Sequence, residues 1–121
     1  MAYEIGCESI SVESSGDLTG KEMLFGTLDA NGRLAVTGAG AVADGVIACG
    51  AGALGRACAL DAKRGKVVKL ICGAAVANGA LLEADAAGKA VTRVAGKILA
   101  KALAVGAGDG AVVPALLILQ W

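Results

Sequence analysis

Short apolar segments separated by Gly-containing turns run along most of the chain. Residues 23–28 and 33–36 flank the turn Asp29-Ala30-Asn31-Gly32, and residues 81–92 have the same form around Asp85-Ala86-Ala87-Gly88. Gly and Asn supply the positive φ angles that tight turns need, so such a turn between alternating segments is typical of a β-hairpin. The sequence therefore predicts two hairpins, one in each half.

A second type of strand pair is predicted in the middle of the chain. Residues 56–60 and 66–72 are mainly apolar, and the β-branched run Val67-Val68 with Ile71 favours a strand in the second segment. Residues 61–65 contain Asp and Gly and form a predicted turn. We therefore expect these two strands to pair with each other.

The remaining apolar segments are less uniform. Residues 45–49 predict a short strand, and residues 112–119 predict a final strand whose Pro114 favours an edge position or a bulge. Residues 74–82 fit either a helix or an extended chain, and so do the Ala-rich residues 97–105.

The first 20 residues are more polar than the rest. They predict an N-terminal arm, with one short strand at most, that a partner orders in part. Residues 21–121 then predict a single compact domain. Its fold class is mostly β, a small β-barrel or β-sandwich of short strands with at most one or two short helices.

An internal repeat is suggested by an offset of 56 positions. Asp85 and Gly88 follow Asp29 and Gly32 at that spacing, and several other glycines do the same. The shared order of turn, loop, apolar strand and Gly-Ala-Gly predicts two similar units, at about residues 24–60 and 80–119.

Composition limits the core that the chain can build. Among 121 residues there are 19 Gly but one Phe, one Tyr and one Trp. Small side chains bury little area, so we expect modest stability for a lone monomer and a gain from self-association or docking.

Charge and hydropathy bear on the class of partner. The formal net charge is zero, and the one basic run, residues 63–66, has the form of a solvated turn, so no nucleic-acid binding is expected. No uninterrupted apolar run is long enough to span a bilayer, and residues 1–5 lack the pattern of a secretory signal. We expect a protein made in the cytoplasm that does not bind membranes.

Three features could carry chemistry. Gly50 to Gly55 has the spacing of a dinucleotide-binding loop, but no room for a crossover helix follows it. The aspartates at 29, 44, 61, 85 and 109 all fall in predicted turns, where Asp binds its own backbone. The chain has no His to activate a Ser or Cys nucleophile. We expect no enzyme activity, no catalytic residue and no cofactor.

The four cysteines do not form a metal-binding pattern. Cys7, Cys49, Cys58 and Cys72 include no C-x-x-C pair, so no metal site is predicted. In a cytosolic product they are expected to be buried, reduced thiols that pack as small apolar groups.

Residues 73–91 read Gly-Ala-Ala-Val-Ala-Asn-Gly-Ala-Leu-Leu-Glu-Ala-Asp-Ala-Ala-Gly-Lys-Ala-Val, followed by the segment 98–104, Gly108-Asp109-Gly110 and a final apolar strand. This order resembles the capsid decoration, or cement, proteins that stabilise the heads of tailed phages. The resemblance covers residues 24 to 119 and is best from 65 to 119.

The resemblance implies a compact β-rich fold and a trimer. It also implies binding to the major capsid protein at three-fold or quasi-three-fold positions on the outer surface of an assembled head, with the arm reaching capsid subunits. The protein would then be part of the virion.

Five residues are candidates for such an interface. Tyr3, Ile5, Ile10 and Val12 are large apolar residues of the arm, and Trp121 is the largest apolar side chain of the chain. Trp is enriched at interface anchors, although Trp121 could equally pack on its own domain.

A second resemblance leads to a different function. Residues 65–91 vaguely resemble half of a lipoyl or biotinyl carrier domain, a family that presents a modified Lys at a hairpin tip. Lys89 would be that residue, but its neighbours Gly88 and Ala90 depart from the family's pattern. The carrier function is kept as the alternative.

Overall fold

A computed structural model describes residues 9–121, and the predicted interface residues Tyr3 and Ile5 lie outside that range. The described residues form strands and no helix. The strands are β1 (Ser9–Ser14), β2 (Phe25–Leu28), β3 (Arg33–Val36), β4 (Gly45–Cys49), β5 (Ala57–Asp61), β6 (Val67–Ile71), β7 (Leu81–Ala84), β8 (Ala90–Thr92), β9 (Ala100–Ala102) and β10 (Val112–Leu117). The predicted mostly-β fold is confirmed.

The strands form two five-stranded units. The first unit, residues 9–61, is a closed barrel with the order β1-β3-β2-β4-β5, and β1 also pairs with β5. The second unit, residues 67–117, is a sheet with the order β6-β10-β9-β7-β8. Strands β6 to β10 correspond in sequence order to β1 to β5. With that correspondence, the strands of the second unit follow the same cyclic order as those of the first, read in the opposite direction.

The two units also share their closing contact. In the first unit β1 runs parallel to β3, with Ser14 beside Leu34. In the second unit the same place holds a single parallel bridge between Cys72, just after β6, and Ala90 of β8. The chain is therefore one five-stranded unit used twice, and the equivalence extends back to β1, well before residue 24.

The hairpin turns show the repeat in atomic detail. The Oδ1 atom of Asp29 accepts hydrogen bonds from the backbone N–H groups two and four residues later, at 2.8 and 2.9 Å. Asp85 makes the same two bonds, both at 2.9 Å. Gly32 and Gly88 close the turns with φ angles of 73° and 78°, which side chains rarely allow. Local turn chemistry thus fixes both hairpins.

A segment of the first unit enters the second. The carbonyl oxygen of Met23 accepts a hydrogen bond of 3.0 Å from the N–H of Ile71, in β6. The N–H of Phe25 donates a hydrogen bond of 2.9 Å to the carbonyl oxygen of Gly88, in the turn before β8. Phe25 is fully buried in the core of the second unit. The gap between β6 and β8 is therefore filled by the first unit, which explains why this sheet closes by one bridge alone.

The buried side chains form two clusters. The smaller lies inside the barrel and contains Leu18, Leu34, Ile47, Ala51, Cys58 and Leu60. The larger contains the inward side chains of the second unit together with Phe25, Ala43 and Val46 of the first. Since three residues of the first unit belong to the larger cluster, the two units share a core.

The predicted pairing of residues 56–60 with 66–72 is wrong. Strand β5 pairs with β1 and β4, whereas β6 pairs with β10 in the other unit. The intervening residues are the link between the units. Cys58 and Leu60 face the barrel core, and this burial holds β5 away from its neighbour in sequence.

The predicted edge or bulge at Pro114 is also wrong, because β10 lies between β6 and β9 in an unbroken register. Leu103 donates its N–H to the carbonyl oxygen of Pro114 at 2.9 Å, so the side of Pro114 without an N–H faces β9. Strand β9 ends at Ala102. Pro114 thus lies just beyond the β9–β10 ladder, where its missing donor costs little.

Part of the predicted arm lies within the barrel. Residues 9–14 form β1, which pairs with β5 along its length, and Ile10 and Val12 pack against the barrel core. Of the two ambiguous segments, 97–105 contains the short strand β9, and 74–80 contains no helix or regular strand.

The repeat provides a matched test of turn packing. A Cβ at Gly88 would collide with a methyl group of Val36, whereas a Cβ at Gly32 would meet open space. We expect Gly32→Ala to destabilise by about 1 kcal/mol, the cost of a side chain at positive φ. Gly88→Ala should cost about 2 kcal/mol more, because a well-packed contact must shift. Urea denaturation measures both, and equal losses would contradict the packing between units.

Candidate interaction surface

The carboxylates that could serve in catalysis are held in structural bonds. Besides the two turn aspartates, Asp44 accepts a backbone N–H of β2 at 2.8 Å. Asp61 and Asp109 form ion pairs of 2.8 Å with Lys66 and Lys89. Within residues 9–121 no cluster of three metal-ligating side chains exists.

The Gly-rich loop 50–55 is a turn between neighbouring strands. It joins β4 to β5, which pair antiparallel, so no helix follows it to face a pyrophosphate. Its Gly55 donates to the carbonyl oxygen of Ser14, and the equivalent Gly110 donates to that of Cys72, both at 2.8 Å. The loop is a repeated connection of the fold and lacks the geometry of a nucleotide site.

Lys89 does not stand at a free hairpin tip. The turn before it packs on the first unit, where Gly88 lies against Val36, and its ammonium group is paired with Asp109. The hydrogen bond to the Asp109 carboxylate raises the pKa of Lys89 above its ordinary value. A carrier domain needs an accessible lysine at the tip, so this geometry does not favour the carrier alternative.

The cysteines fall into two groups. Cys58 and Cys72 are buried, and burial raises the pKa of both thiols, so they remain protonated apolar groups. Cys49 is exposed at the end of β4, which corrects the expectation that it is buried, while Cys7 lies outside the described residues.

The interface candidates are placed apart. Ile10 and Val12 point toward the barrel core and so offer little free surface. Trp121 is 67% exposed. The guanidinium of Arg64 lies 5.3 Å from its ring centroid, and the same group donates to the carbonyl oxygen of Leu119 at 3.0 Å. We call these two contacts of Arg64 the Arg64 clamp. Arg64 lies on the link between the units, and the clamp holds the C-terminal residues in place.

A broad apolar surface lies on the side of the second unit that faces away from the core. We call it the outer face. It consists of Val67, Lys69, Ile71, Leu81, Lys101, Leu103, Val112, Pro114 and Leu116. One row of it crosses four strands, because Val67 lies beside Leu116, Leu116 beside Lys101, and Lys101 beside Leu81.

The exposure of the outer face is large for apolar side chains. Val67 is 54% exposed, Val112 is 50% exposed, and Leu81 and Leu103 are each 41% exposed. Contiguous apolar surface of this kind on a soluble domain is typical of a binding site.

The first unit differs at the equivalent positions. Matching the β1–β5 pairing with the β6–β10 pairing places Ser9 opposite Asp61 where the second unit has Val67 opposite Leu116. The other equivalents are also small or charged, namely Ser11, Glu13, Ala57 and Ala59. At these positions, β1 and β5 of the first unit carry polar or small side chains where β6 and β10 of the second unit carry mostly larger apolar ones.

The outer face carries two cations, and one carboxylate, that of Glu83, lies on the same side of β7 as Leu81. Within residues 9–121, Lys69 and Lys101 form no ion pair, although both are exposed. The nearby Glu83 is engaged, since its Oε2 atom accepts the N–H of Gly96 at 2.6 Å and that of Val94 at 3.2 Å. The surface is thus apolar with two available positive charges.

Sequence reasoning missed the outer face. Residues 112–117 are apolar at almost every position, so alternation could not show which side is exposed. A comparison of residues 9–14 with 67–72 would have shown it, because Ser9 and Glu13 of the first segment correspond to Val67 and Ile71 of the second.

Comparisons with known proteins give a structural likeness. No family model and no curated protein matches the sequence. The fold is similar to the crystal structure of the head fiber gp8.5 N base in bacteriophage phi29, with a TM-score of 0.70 and 14% sequence identity. The match covers 93% of this chain and 94% of that chain. The likeness shows the fold, and the protein that shares it is a phage head protein.

The Lys89–Asp109 pair generates a test of the local charges. The hydrogen bond and charge of Lys89 hold the pKa of Asp109 below its ordinary value. Replacement of Lys89 by Met should let the pKa of Asp109 return toward that value, as measured by NMR titration of the carboxyl carbon. Any stability from the pair is present above the ordinary Asp pKa and is lost as pH falls through the lowered one. An unchanged Asp109 titration would contradict the pair.

The Arg64 clamp generates a test by fluorescence. Trp121 is the single Trp of the chain, so its emission reports on the C-terminal residues alone. Arg64→Ala should shift that emission to longer wavelength and increase quenching by acrylamide, with a loss of about 1 kcal/mol in the free energy of unfolding. Lys63→Ala is the matched control and should leave the emission unchanged.

Proposed function

We propose that the protein is a structural component of a phage head, a decoration protein that binds the outer surface of an assembled capsid and stabilises it. Its partner is the major capsid protein, and it binds as a homotrimer at three-fold or quasi-three-fold positions. It acts without catalysis or a cofactor, and its place is the virion surface.

The observation that carries the proposal is the exposed outer face of the second unit. A surface with Val67, Val112 and Leu103 open to water is unfavourable unless a partner covers it. The likeness to a phage head fiber base supports a head-associated role for this fold.

The composition of the core supports the same function. The clusters contain one Phe, no Trp and many Ala, Val and Leu, so each buried residue contributes little area. Docking on a large assembly would add burial that the chain does not provide by itself. The carrier alternative gains no such support, because Lys89 is ion-paired beside a packed turn.

The proposal is tested with the full chain and heads that lack it. We expect a trimer mass by analytical ultracentrifugation, saturable co-sedimentation of the protein with expanded heads, and greater resistance of the decorated heads to heat. Unexpanded heads serve as the control. A monomer that stays in the supernatant with expanded heads would overturn the proposal.

A further inference from the structure

We propose that the outer face of the second unit is the side turned toward the head, and that it docks on an apolar patch of a capsid subunit bordered by carboxylates. This inference rests on the proposed function and deepens it, because it assigns the orientation and the chemistry of the partner surface. The first unit then faces away from the contact.

The repeat itself is the first argument. Equivalent positions of the two units have the same backbone pairing, so the fold places the same requirements on their side chains. A consistent difference in polarity between them therefore reflects a contact with another molecule. Ser9 and Asp61 are compatible with water, whereas their equivalents Val67 and Leu116 are not. The fold tolerates polar residues at these positions, and the second unit nevertheless has apolar ones. An external contact accounts for that difference.

Charge gives the second argument, and it separates a capsid subunit from a second copy of this face. Lys69 and Lys101 point outward amid the apolar side chains without an ion pair in the described part of the chain. Two outer faces set against each other would bring cations together, which is repulsive at short distance. A partner with carboxylates facing these lysines would pair them, so the complementary surface is a different one.

Rigidity gives the third argument. The face is spread over β6, β10, β9 and β7, which are joined by ladders, and Leu103 is held by its bond to Pro114 at 2.9 Å. The backbone of paired strands is already ordered and loses little further freedom on binding. A pre-ordered apolar face with a few charges suits a broad contact with another folded surface.

The repeat also supplies the test variants. Val67→Ser with Leu116→Asp gives the outer face the residues that the first unit carries at the equivalent positions of β1 and β5. Ser11→Asp in the first unit is the matched control, since Ser11 is exposed on the equivalent face. Circular dichroism melting and ultracentrifugation confirm that each variant keeps its fold and its oligomeric mass.

We expect the double variant to bind heads at least about 100-fold more weakly than the wild type, as for loss of central contacts in an interface. Ser11→Asp should bind as the wild type does. A folded double variant with wild-type binding would overturn this inference and leave the proposed function standing. Failure of the wild type to bind would instead overturn the proposed function. Loss of the oligomeric mass in the double variant would show that the face joins copies of this chain, which also overturns the inference.

A second pair of variants tests the charge. Lys69→Glu with Lys101→Glu should weaken head binding by more than Lys69→Met with Lys101→Met, because reversal adds repulsion to the loss of attraction. Binding of the wild type should weaken with added salt, and binding of the methionine variant should depend on salt less. Equal binding by the glutamate and methionine variants would contradict carboxylates on the partner surface.

Discussion

The insertion of Phe25 into the second unit is the contact on which the arrangement of the chain depends. It is the single Phe of a sequence poor in large side chains, and it is fully buried in a cluster built mainly by the other unit. A backbone hydrogen bond of Met23 joins the first unit to β6, and a backbone hydrogen bond of Phe25 joins it to the turn before β8. The first unit therefore completes the core of the second, and that core is not independent of this segment.

This packing is head to tail, and that determines which surfaces remain free. The first unit uses the outward side of β2 and β4, with Phe25 and Val46, to contact the second unit. The equivalent positions of the second unit, Leu81 and Lys101, are exposed in the part of the chain that the structure describes. When two repeats pack in this way, the face of the second that corresponds to the buried face of the first stays exposed, and here that face is extended by apolar residues on β6 and β10.

The sequence predicts what local chemistry decides. Both hairpins follow from Asp and Gly at fixed places in the turns, and their strands are found where the alternation indicates. Non-local pairing is a different matter. The pairing of β5 with β6 was expected because they are neighbours in sequence, yet burial of Leu60 in the barrel places β5 elsewhere. Likewise, β1 is a strand because it pairs with β5 and β3, and the polar sequence of residues 9–14 does not predict that pairing. The outer face lies beyond sequence reasoning for a similar reason, since the apolar run of β10 has no polar side to mark its exposure.

The two units are also one covalent chain, and this has a consequence for assembly. Partners joined by a short link meet at a high effective concentration, so the contact between them does not weaken on dilution. Contacts between separate molecules do weaken. The protein would therefore keep its shared core intact at any concentration, while any attachment to separate molecules would depend on how many copies are present. The link that contains Arg64 also holds the C-terminal residues. Because this link joins the two units covalently, folding does not depend on protein concentration, whereas binding to separate molecules does.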